Sequence, residues 1–417
     1  MRTFIVLLLS FYSSGLSLNI ASDLSFFNHW TCLGIRNNMD LSKPLSVHVG
    51  ELPLVLWKNQ QTEKILSVIN ICKHMGSKLD NGIVTDSGCL KCKYHGLEFS
   101  ENDRFGEIVE HEGKVFWAYQ PKENTPYKVP FYNNPSYTKS FLEVDMDASL
   151  TDSAYNSIDL RHPEYVHNMG FGSSVPPSNI QSYLYVNPQS NVADRVGLAF
   201  EYQSNRIMRT LNDNQKTTKN FHMFVYPTFT WSRVSFENKH LIVAVNFLPL
   251  SQKKTRWIVT LCHNYFQSTI QQNVMKMLAA TILSQDFVQM HNQHKEDALK
   301  KAMMFDHVFN DEEAILSLNE IFKQYRFPDI DSCAELYKVD REHRSNIINS
   351  CRDFAKQLVT QGNVGGVNAP SEPPSVVQGC ERSSLTRPPL LCAHCIGISK
   401  MHKDDKDDNN DSPCCNE

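Results

Sequence analysis

Two cysteines and two histidines constrain this chain more than anything else in it. Cys72 and His74 lie in Cys72-Lys73-His74-Met75-Gly76, and Cys92 and His95 in Cys92-Lys93-Tyr94-His95-Gly96, with 17 residues between the C-x-H and the C-x-x-H. Each short segment offers one soft thiolate and one imidazole. A tetrahedral zinc site uses the same four donors, but finger spacing puts both cysteines in one half and both histidines in the other. One of each per half suits a dinuclear iron–sulfur cluster, one iron taking both sulfurs and the other both ring nitrogens. Replacing two thiolates by neutral imidazoles removes negative charge from the cluster and raises its potential by roughly several hundred millivolts over an all-cysteine cluster. Four unrelated core residues are the bland alternative. The glycines closing both segments, Gly76 and Gly96, argue against it, because glycine permits tight turns and close backbone approach. Leu79-Asp80-Asn81-Gly82 joins the segments, and Asn-Gly predicts a hairpin there.

On these residues the chain resembles the Rieske ferredoxin-like fold over residues 25–121. The resemblance implies an all-β domain holding one [2Fe-2S] cluster through Cys72, His74, Cys92 and His95. Relatives of the cytochrome bc type add one cysteine to each loop and tie the loops with a disulfide. Here the first loop has no second cysteine to pair with Cys89, which lies beside the other loop. That favours the oxygenase-like branch. The resemblance departs at Leu97, where oxygenases usually show tryptophan; Leu97 is not a ligand position, so a packing difference is expected.

A second constellation runs from Asn156 through Asp159 and His162 to His167, in the order N-x-x-D-x-x-H-x-x-x-x-H. It resembles the motif of Rieske oxygenase catalytic domains, in which two histidines and a distant carboxylate hold one mononuclear Fe(II). Three ligands on one face leave open positions for dioxygen and water, and N and O donors suit Fe(II). Residues five apart in an ideal helix point roughly 140° away from each other. His162 and His167 therefore converge only if the helix breaks between them, and Pro163 is the expected break. Taken alone, two histidines in a helix are more often surface or core residues than ligands.

The third ligand must come from far along the chain. Residues 268–292 read as a helix with Ile270, Val274, Met277, Leu278 and Ile282 on an apolar face. Asp286 follows Ile282 by four and Leu278 by eight, so it shares that inward face. Gln285-Asp286-Phe287-Val288-Gln289 also resembles the family segment that carries the carboxylate. A buried aspartate without a partner is costly, and iron resolves that cost. A capping or surface aspartate is the alternative reading, and Asp297 is the fallback ligand.

The resemblance gives Asp159 and Asn156 roles in catalysis without making them ligands. In related oxygenases the aspartate at this position bridges an iron-binding histidine and a Rieske histidine of the neighbouring subunit, which implies a homotrimer closed head to tail. The simpler reading of Asp159 is a residue that orients a ligand histidine within one chain. Strands are expected over 240–247 and 255–261 around the turn 250–254, and another aromatic run spans Phe221 to Phe236. A second helix with a capping box opens at Asn310-Asp311-Glu312-Glu313, with Ile315, Leu318, Phe322 and Tyr325 at helical spacing and Pro328 after its end. The fold class expected is α+β: an N-terminal all-β Rieske domain, then a helix-grip (START/Bet v 1-like) catalytic domain with a curved antiparallel sheet over 126–358. The implied activity is hydroxylation or oxidative demethylation of a small organic substrate with O2 and a ferredoxin or flavin reductase. Relatives process chlorophyll derivatives, sterols and quaternary amines. The competing class is a Rieske electron carrier or redox-regulated subunit of a plastid translocon.

Hydrophobic content of 41% and a formal net charge of -4 over 417 residues fit two globular domains and a tail, with no basic field for nucleic acid. Residues 361–417 shift to Gly, Pro, Ser and Asn with a charged run from Lys403 to Asp411, and disorder is expected there. That tail holds Cys392-Ala393-His394-Cys395 and Cys414-Cys415. A C-x-x-C also occurs near the C-terminus of oxygenases resembling pheophorbide a oxygenase, where it is a candidate for redox regulation; idle thiols are the alternative. Residues 1–18 read as a secretory signal peptide, basic at Arg2 and apolar from Phe4 to Tyr12. No later run is long enough to span a bilayer. An iron–sulfur protein does not suit an oxidising lumen, and the 12 cysteines show no disulfide framework. Import into a complex plastid through the secretory route, or retention at the endoplasmic reticulum facing the cytosol, reconciles the two.

Overall fold

The structure, a computed structural model, describes residues 23–361 apart from 168–175, 188–191, 204–216, 237, 295–297, 310–311 and 325–326. The leader at 1–18, the cap at Asn310 and Asp311, Tyr325, Asp297 and the tail cysteines Cys392, Cys395, Cys414 and Cys415 lie outside the described residues. Residues up to Leu336 form one compact unit and those from Tyr337 a second.

The first unit opens with β1 (Thr31–Ile35), β2 (Leu45–Val49), β3 (Leu52–Lys58), β4 (Ile65–Ile69), β5 (Ile83–Val84), β6 (Leu90–Lys91), β7 (Glu98–Phe99), β8 (Glu107–His111) and β9 (Lys114–Ala118). They make three small antiparallel sheets, β1-β9-β8, β2-β3-β4 and β5-β6-β7. Strand β3 is a wall between two cores. Side chains alternate along a strand, so Leu52, Leu54 and Leu56 enter the main core while Val55 and Trp57 enter a smaller one. Cys72 and Cys92 are packed into that smaller core with Leu79, Leu90 and Phe99.

The expected hairpin at Asn81-Gly82 does not form. Gly82 N–H bonds the Leu79 carbonyl at 2.9 Å, which makes a turn. The chain before it is not a strand, because the Asn70 side chain takes the Leu79 and Asp80 N–H groups at 2.8 and 2.9 Å. The hairpin lies one step later, where β5 pairs with β6 through a turn closed by Gly88 N–H on the Thr85 carbonyl.

Then follow β10 (Thr138–Met146), α1 (Leu150–Ile158), α2 (His162–Val166), β11 (Ser178–Asn187), β12 (Val192–Gln203), β13 (Thr217–Val225), β14 (Phe229–Phe236), β15 (Lys239–Ser251), β16 (Lys254–His263), α3 (Thr269–Asn292), α4 (Ala298–Met303), α5 (Glu313–Gln324) and α6 (Ile330–Gln361). Strands β11 to β16 are a meander, and β10 joins it beside β16, giving the order β10-β16-β15-β14-β13-β12-β11. The strands expected around 240–247 and 255–261 are β15 and β16, and the aromatic run at 221–236 is parts of β13 and β14. The architecture is α+β as expected, a β domain followed by a large antiparallel sheet with helices. Since β10 and β11 are opposite edges, the segment carrying α1 and α2 must cross the whole sheet. In the second unit, α6 continues from Tyr337. Among the described residues no helix is long and apolar enough to cross a membrane.

Helix α1 is set by its start. The Ser149 hydroxyl accepts the Asp152 N–H at 3.0 Å, satisfying an orphan donor of the first turn. Leu150, Ala154 and Ile158, four apart, are buried and turn one face to the core. Two further bonds fix it on β16: Thr255 Oγ1 donates to the Ala148 carbonyl at 2.9 Å and Trp257 Nε1 to Ser153 Oγ at 3.0 Å.

Helix α3 has the expected bounds and a capping box between Ser268 and Gln271, but the opposite face points in. Ile270, Val274 and Met277 are 78%, 46% and 69% exposed. The buried positions are Met275, Asp286 and Met290, with Ala279, Leu283 and Phe287 packed partly against the core. Asp286 does face inward, with Met275 and Met290 buried and Ala279 and Leu283 half-buried against the core at helical spacing with it; Leu278 and Ile282 are half-buried but do not pack on that core. In α5, Ile315 and Leu318 are buried and Phe322 packs against the core.

The Trp257–Ser153 bond gives a first expectation. Both residues are buried, so Ser153→Ala strands an indole N–H and should cost about 1–3 kcal/mol. Adding Trp257→Phe removes the stranded donor, so in urea unfolding the double variant should lose less than the sum of the two single losses. Strict additivity would show that the bond contributes nothing.

Candidate metal centres

The two loops that carry Cys72 and Cys92 share one backbone template. Gly76 N–H bonds the Cys72 carbonyl at 2.8 Å, and Cys72 N–H bonds the Ser77 carbonyl at 2.8 Å. Gly96 and Cys92 repeat this at 2.9 Å, with Leu97 in the place of Ser77 at 2.8 Å. Both glycines adopt positive φ, 73° and 77°, a region that L side chains resist. The histidines break the symmetry: His74 is the second residue after its cysteine, His95 the third. Leu97 is half-buried against the small core.

The donors form two pairs at two depths. Cys72 and Cys92 are buried, and their thiols hydrogen-bond each other. His74 and His95 are exposed at the tip with ring centroids 4.8 Å apart. Burial raises the pKa of both thiols, but Cys92 also receives the N–H of Tyr94, the Cys72 thiol, the N–H of His95 and the Ser77 hydroxyl, and it ends below its ordinary value. Cys72 stays above, pushed up first by burial. Paired sulfurs inside and paired ring nitrogens outside fit a two-iron cluster and not one tetrahedral ion. Cys72 and Cys92 are free thiols.

Loop one is clamped from the side. Lys73 Nζ bonds Asp103 Oδ1 at 2.7 Å and stands 5.1 Å from the Phe99 ring centre. Asp103 Oδ2 accepts the Ser100 N–H at 3.0 Å. Burial alone would raise the Asp103 carboxyl, but Lys73 and Ser100 outweigh it and hold it below its usual value.

The second constellation depends on where α1 stops. Asp159 follows its last residue in extended conformation, φ -70° and ψ 121°. Its backbone N–H bonds the Tyr155 carbonyl at 3.0 Å and its Oδ1 accepts the N–H of Arg161 at 2.8 Å and of His162 at 3.3 Å, so one residue ends α1 with its backbone and opens α2 with its side chain. The break therefore lies at 159–161 and not at Pro163. Pro163 falls in the first turn of α2, where a missing N–H is harmless. His162 opens α2 and His167 stands just past its end, and their rings meet at 5.1 Å.

Asp286 of α3 completes the group. Its Oδ1 is 3.2 Å from His167 Nε2 and 3.6 Å from His162 Nε2. One donor atom from each of the three residues lies within 4.8 Å of the others. Asn156 Nδ2 donates to Asp286 Oδ1 at 3.4 Å. His162 Nδ1 meets the Asp159 carbonyl at 3.1 Å, and the Asp159 carboxylate is 3.8 Å away. Burial lowers the pKa of His162. Burial alone would lower that of His167 too, but its bonds to Asp286 and Gln285 raise it. A buried carboxylate facing two ring nitrogens is a donor set suited to Fe(II).

Two residues near this group were not singled out by sequence. Gln285 Oε1 stands 2.9 Å from His167 Nδ1; its place directly before Asp286 was the available signal. His222 on β13 packs edge-on against Phe200 at 4.9 Å. Burial, with His162 nearby, pushes its pKa down to about 4. A histidine within a β-branched and aromatic strand carries no spacing signal of its own.

The clamp on loop one gives a testable pH dependence. Asp103 has a lower pKa folded than unfolded, so its stabilisation is present above the ordinary value of 3.8 and is lost as pH falls through the folded value. Asp103→Asn should lower stability by about 1 kcal/mol or less near neutrality, and the difference from wild type should close in acid. An equal difference at both ends of the pH range would exclude the carboxylate as its source.

The Rieske [2Fe-2S] domain family matches residues 29–116. Pheophorbide a oxygenase from Oryza sativa subsp. japonica is 21% identical over 285 residues, 58% of this chain and 50% of that protein. The oxygenase component of dicamba O-demethylase from Stenotrophomonas maltophilia is 26% identical over 34% of this chain and 47% of its own length. The chain thus spans about half the length of the curated relatives it matches. Among solved structures, dicamba monooxygenase bound to 3,6-dichlorosalicylic acid aligns with TM-score 0.59 and 16% identity over 72% of this chain and 97% of that one. NdmA of Pseudomonas putida CBB5 aligns with TM-score 0.56 and 15% identity over 71% and 90%. Residues 29–116 are therefore a Rieske [2Fe-2S] domain, and the chain that carries them resembles the Rieske-type oxygenases in sequence and shares their fold.

Proposed function

We propose that the chain is a Rieske non-haem iron oxygenase, and the observation that carries this is the convergence of His162, His167 and Asp286 in a chain that also holds the Rieske loops. Cys72, His74, Cys92 and His95 would hold the [2Fe-2S] cluster, and His162, His167 and Asp286 one Fe(II). When bound, the cluster supplies single electrons and the iron activates dioxygen to hydroxylate or oxidatively demethylate a small organic substrate. The protein's own part is positioning and charge. The Asp159 carbonyl engages His162 Nδ1 and leaves Nε2 toward Asp286. Asn156 donates to one oxygen of the Asp286 carboxylate, and that buried carboxylate provides the fixed negative charge a cation needs.

Electrons would come from a ferredoxin or flavin reductase. We further propose a head-to-tail homotrimer in which Asp159 helps pass electrons between neighbouring chains. The support is that His74 and His95 are exposed, with Met75 and Tyr94 beside them 63% and 61% exposed, so the cluster edge faces outward. The leader-like residues 1–18 support entry by the secretory route, into a complex plastid or with retention at the endoplasmic reticulum. Imaging a tagged full chain against markers for both tests this, and a purely cytosolic signal would overturn it.

Iron analysis of anaerobically purified protein should find the cluster's pair plus one further iron per chain. His162→Ala, His167→Ala or Asp286→Ala should lose only that further iron and all turnover, with the Rieske spectrum intact. His74→Cys or His95→Cys should instead lower the cluster potential, because thiolate stabilises ferric iron. A chain that never holds more than the cluster's pair would overturn the oxygenase reading in favour of an electron carrier. Turnover with a reductase against a pheophorbide and dicamba, the compounds in the names of the two relatives reported above, tests the substrate class.

Electron transfer between chains has its own test. Asp159→Asn should leave both centres loaded and the cluster reducible, yet slow its reoxidation by dioxygen and substrate. Mixed oligomers of Cys72→Ala and His162→Ala chains should recover part of the activity. Full activity in a verified monomer would show that electrons travel within one chain.

A further inference from the structure

We propose that Gln285 fixes the tautomer of His167 and so positions its Nε2 lone pair for the metal, an inference that rests on reading His162, His167 and Asp286 as the iron site. A neutral imidazole has one N–H and one lone pair, and only the lone pair binds a metal. Which nitrogen keeps the proton is set by what the other ring nitrogen touches. In His167 that partner is Gln285 Oε1, 2.9 Å from Nδ1. An amide oxygen only accepts, so the proton resides on Nδ1. Nε2, 3.2 Å from Asp286 Oδ1, is then the nitrogen whose lone pair a metal would take, on the side where all three donors meet; without metal it donates to that carboxylate. With the amide turned round, its NH2 would donate to Nδ1, and the proton would sit on Nε2 in the ligand position.

The two histidines solve the same problem by different means. His162 Nδ1 meets the main-chain carbonyl of Asp159 at 3.1 Å, a partner no substitution of Asp159 can delete. His167 depends on a side chain, so its tautomer is the one a substitution can release. Gln285 directly precedes Asp286 on α3, so one rigid helix delivers the carboxylate ligand and the partner of a second ligand together. The amide also suits the charge balance. Asp286 is buried and the Asp159 carboxylate is 3.8 Å from His162 Nδ1, so a neutral acceptor orients the ring without a further negative charge.

The test uses full-length protein with an intact Rieske spectrum and reads divalent metal binding at the mononuclear site by anaerobic titration with Fe(II), and with Co(II) as a spectroscopic probe. Gln285→Leu keeps the size and removes the acceptor; it should weaken binding by about 10- to 100-fold without changing the Rieske spectrum. Gln285→Glu keeps an acceptor oxygen and should stay close to wild type. Wild-type binding in Gln285→Leu, or equal weakening in both variants, would overturn the proposal, the second outcome because it reports packing and not the acceptor. His167→Ala separates this from the underlying reading. If it too binds metal normally, the iron site itself is wrong; if it loses metal while Gln285→Leu does not, only the role of Gln285 is wrong. Should Gln285→Leu fail to fold, long-range 15N–1H spectra of His167 in wild-type protein loaded with Zn(II) decide instead: Nδ1–H with the metal on Nε2 is expected, and the metal on Nδ1 or an Nε2–H would overturn the proposal.

Discussion

A carboxylate taken out of water is the constraint on which the second half of this chain depends. Asp286 is 5% exposed, and burying an ionised carboxylate without compensation is far costlier than burying a neutral polar group. No lysine or arginine is paired with it among the described residues; its neighbours are two imidazoles and the amide of Asn156. The Asn156 amide donates to it, and no fixed positive charge stands beside it among the described residues. The arrangement is therefore one that a cation completes. Here the consecutive helices α1 and α2 meet the distant α3: α1 brings Asn156, α2 brings His162 with His167 just beyond, and α3 brings Asp286.

The Rieske half meets a related problem by a different route. Its two thiols are buried in an apolar pocket beside Trp57 and Phe99, and what lets them carry charge is the backbone. Each loop turns so that main-chain N–H groups point at the sulfur, from His74 and Met75 in one loop and Tyr94 and His95 in the other. The turn requires positive φ four residues after each cysteine, which only glycine adopts without strain. Loop geometry, sulfur environment and glycine position are thus one feature.

That coupling explains what could be read in advance. The two Cys/His loops and the Asn156–His167 motif stood out as patterns because metal-binding chemistry of the proposed kind imposes residue type and spacing on short stretches of chain. The β strands were legible as alternating or fully apolar runs between polar turns. The inward face of α3 was not. Its exposed stripe contains Ile270, Val274, Met277 and Val288, while its buried stripe includes an acid, so apolar periodicity pointed to the wrong side and reached Asp286 through neighbours that are only half-buried. Asn81-Gly82 misled for a similar reason. It does make a turn, but whether a turn joins two strands depends on Asn70, whose side chain has already claimed the backbone of Leu79 and Asp80. The helix break near Pro163 failed likewise, since Asp159 acts through its side chain on residues ahead of it.

The sheet order has a consequence for how the protein is made. Asn156 and Asp286 touch across 130 residues, and His167 and Gln285 across 118. Between them lie all the strands of the meander, so the group exists only after β16 has paired with β10 and carried α3 back over the sheet. Contacts of such span require the intervening loop entropy to be lost first. On the proposed reading, metal occupancy at this group is a report on finished folding, because a chain whose sheet is incomplete has not yet brought its three donors together. A metal that binds only the completed fold would by mass action deepen the native well, so on that reading iron supply and folding yield would be one coupled equilibrium.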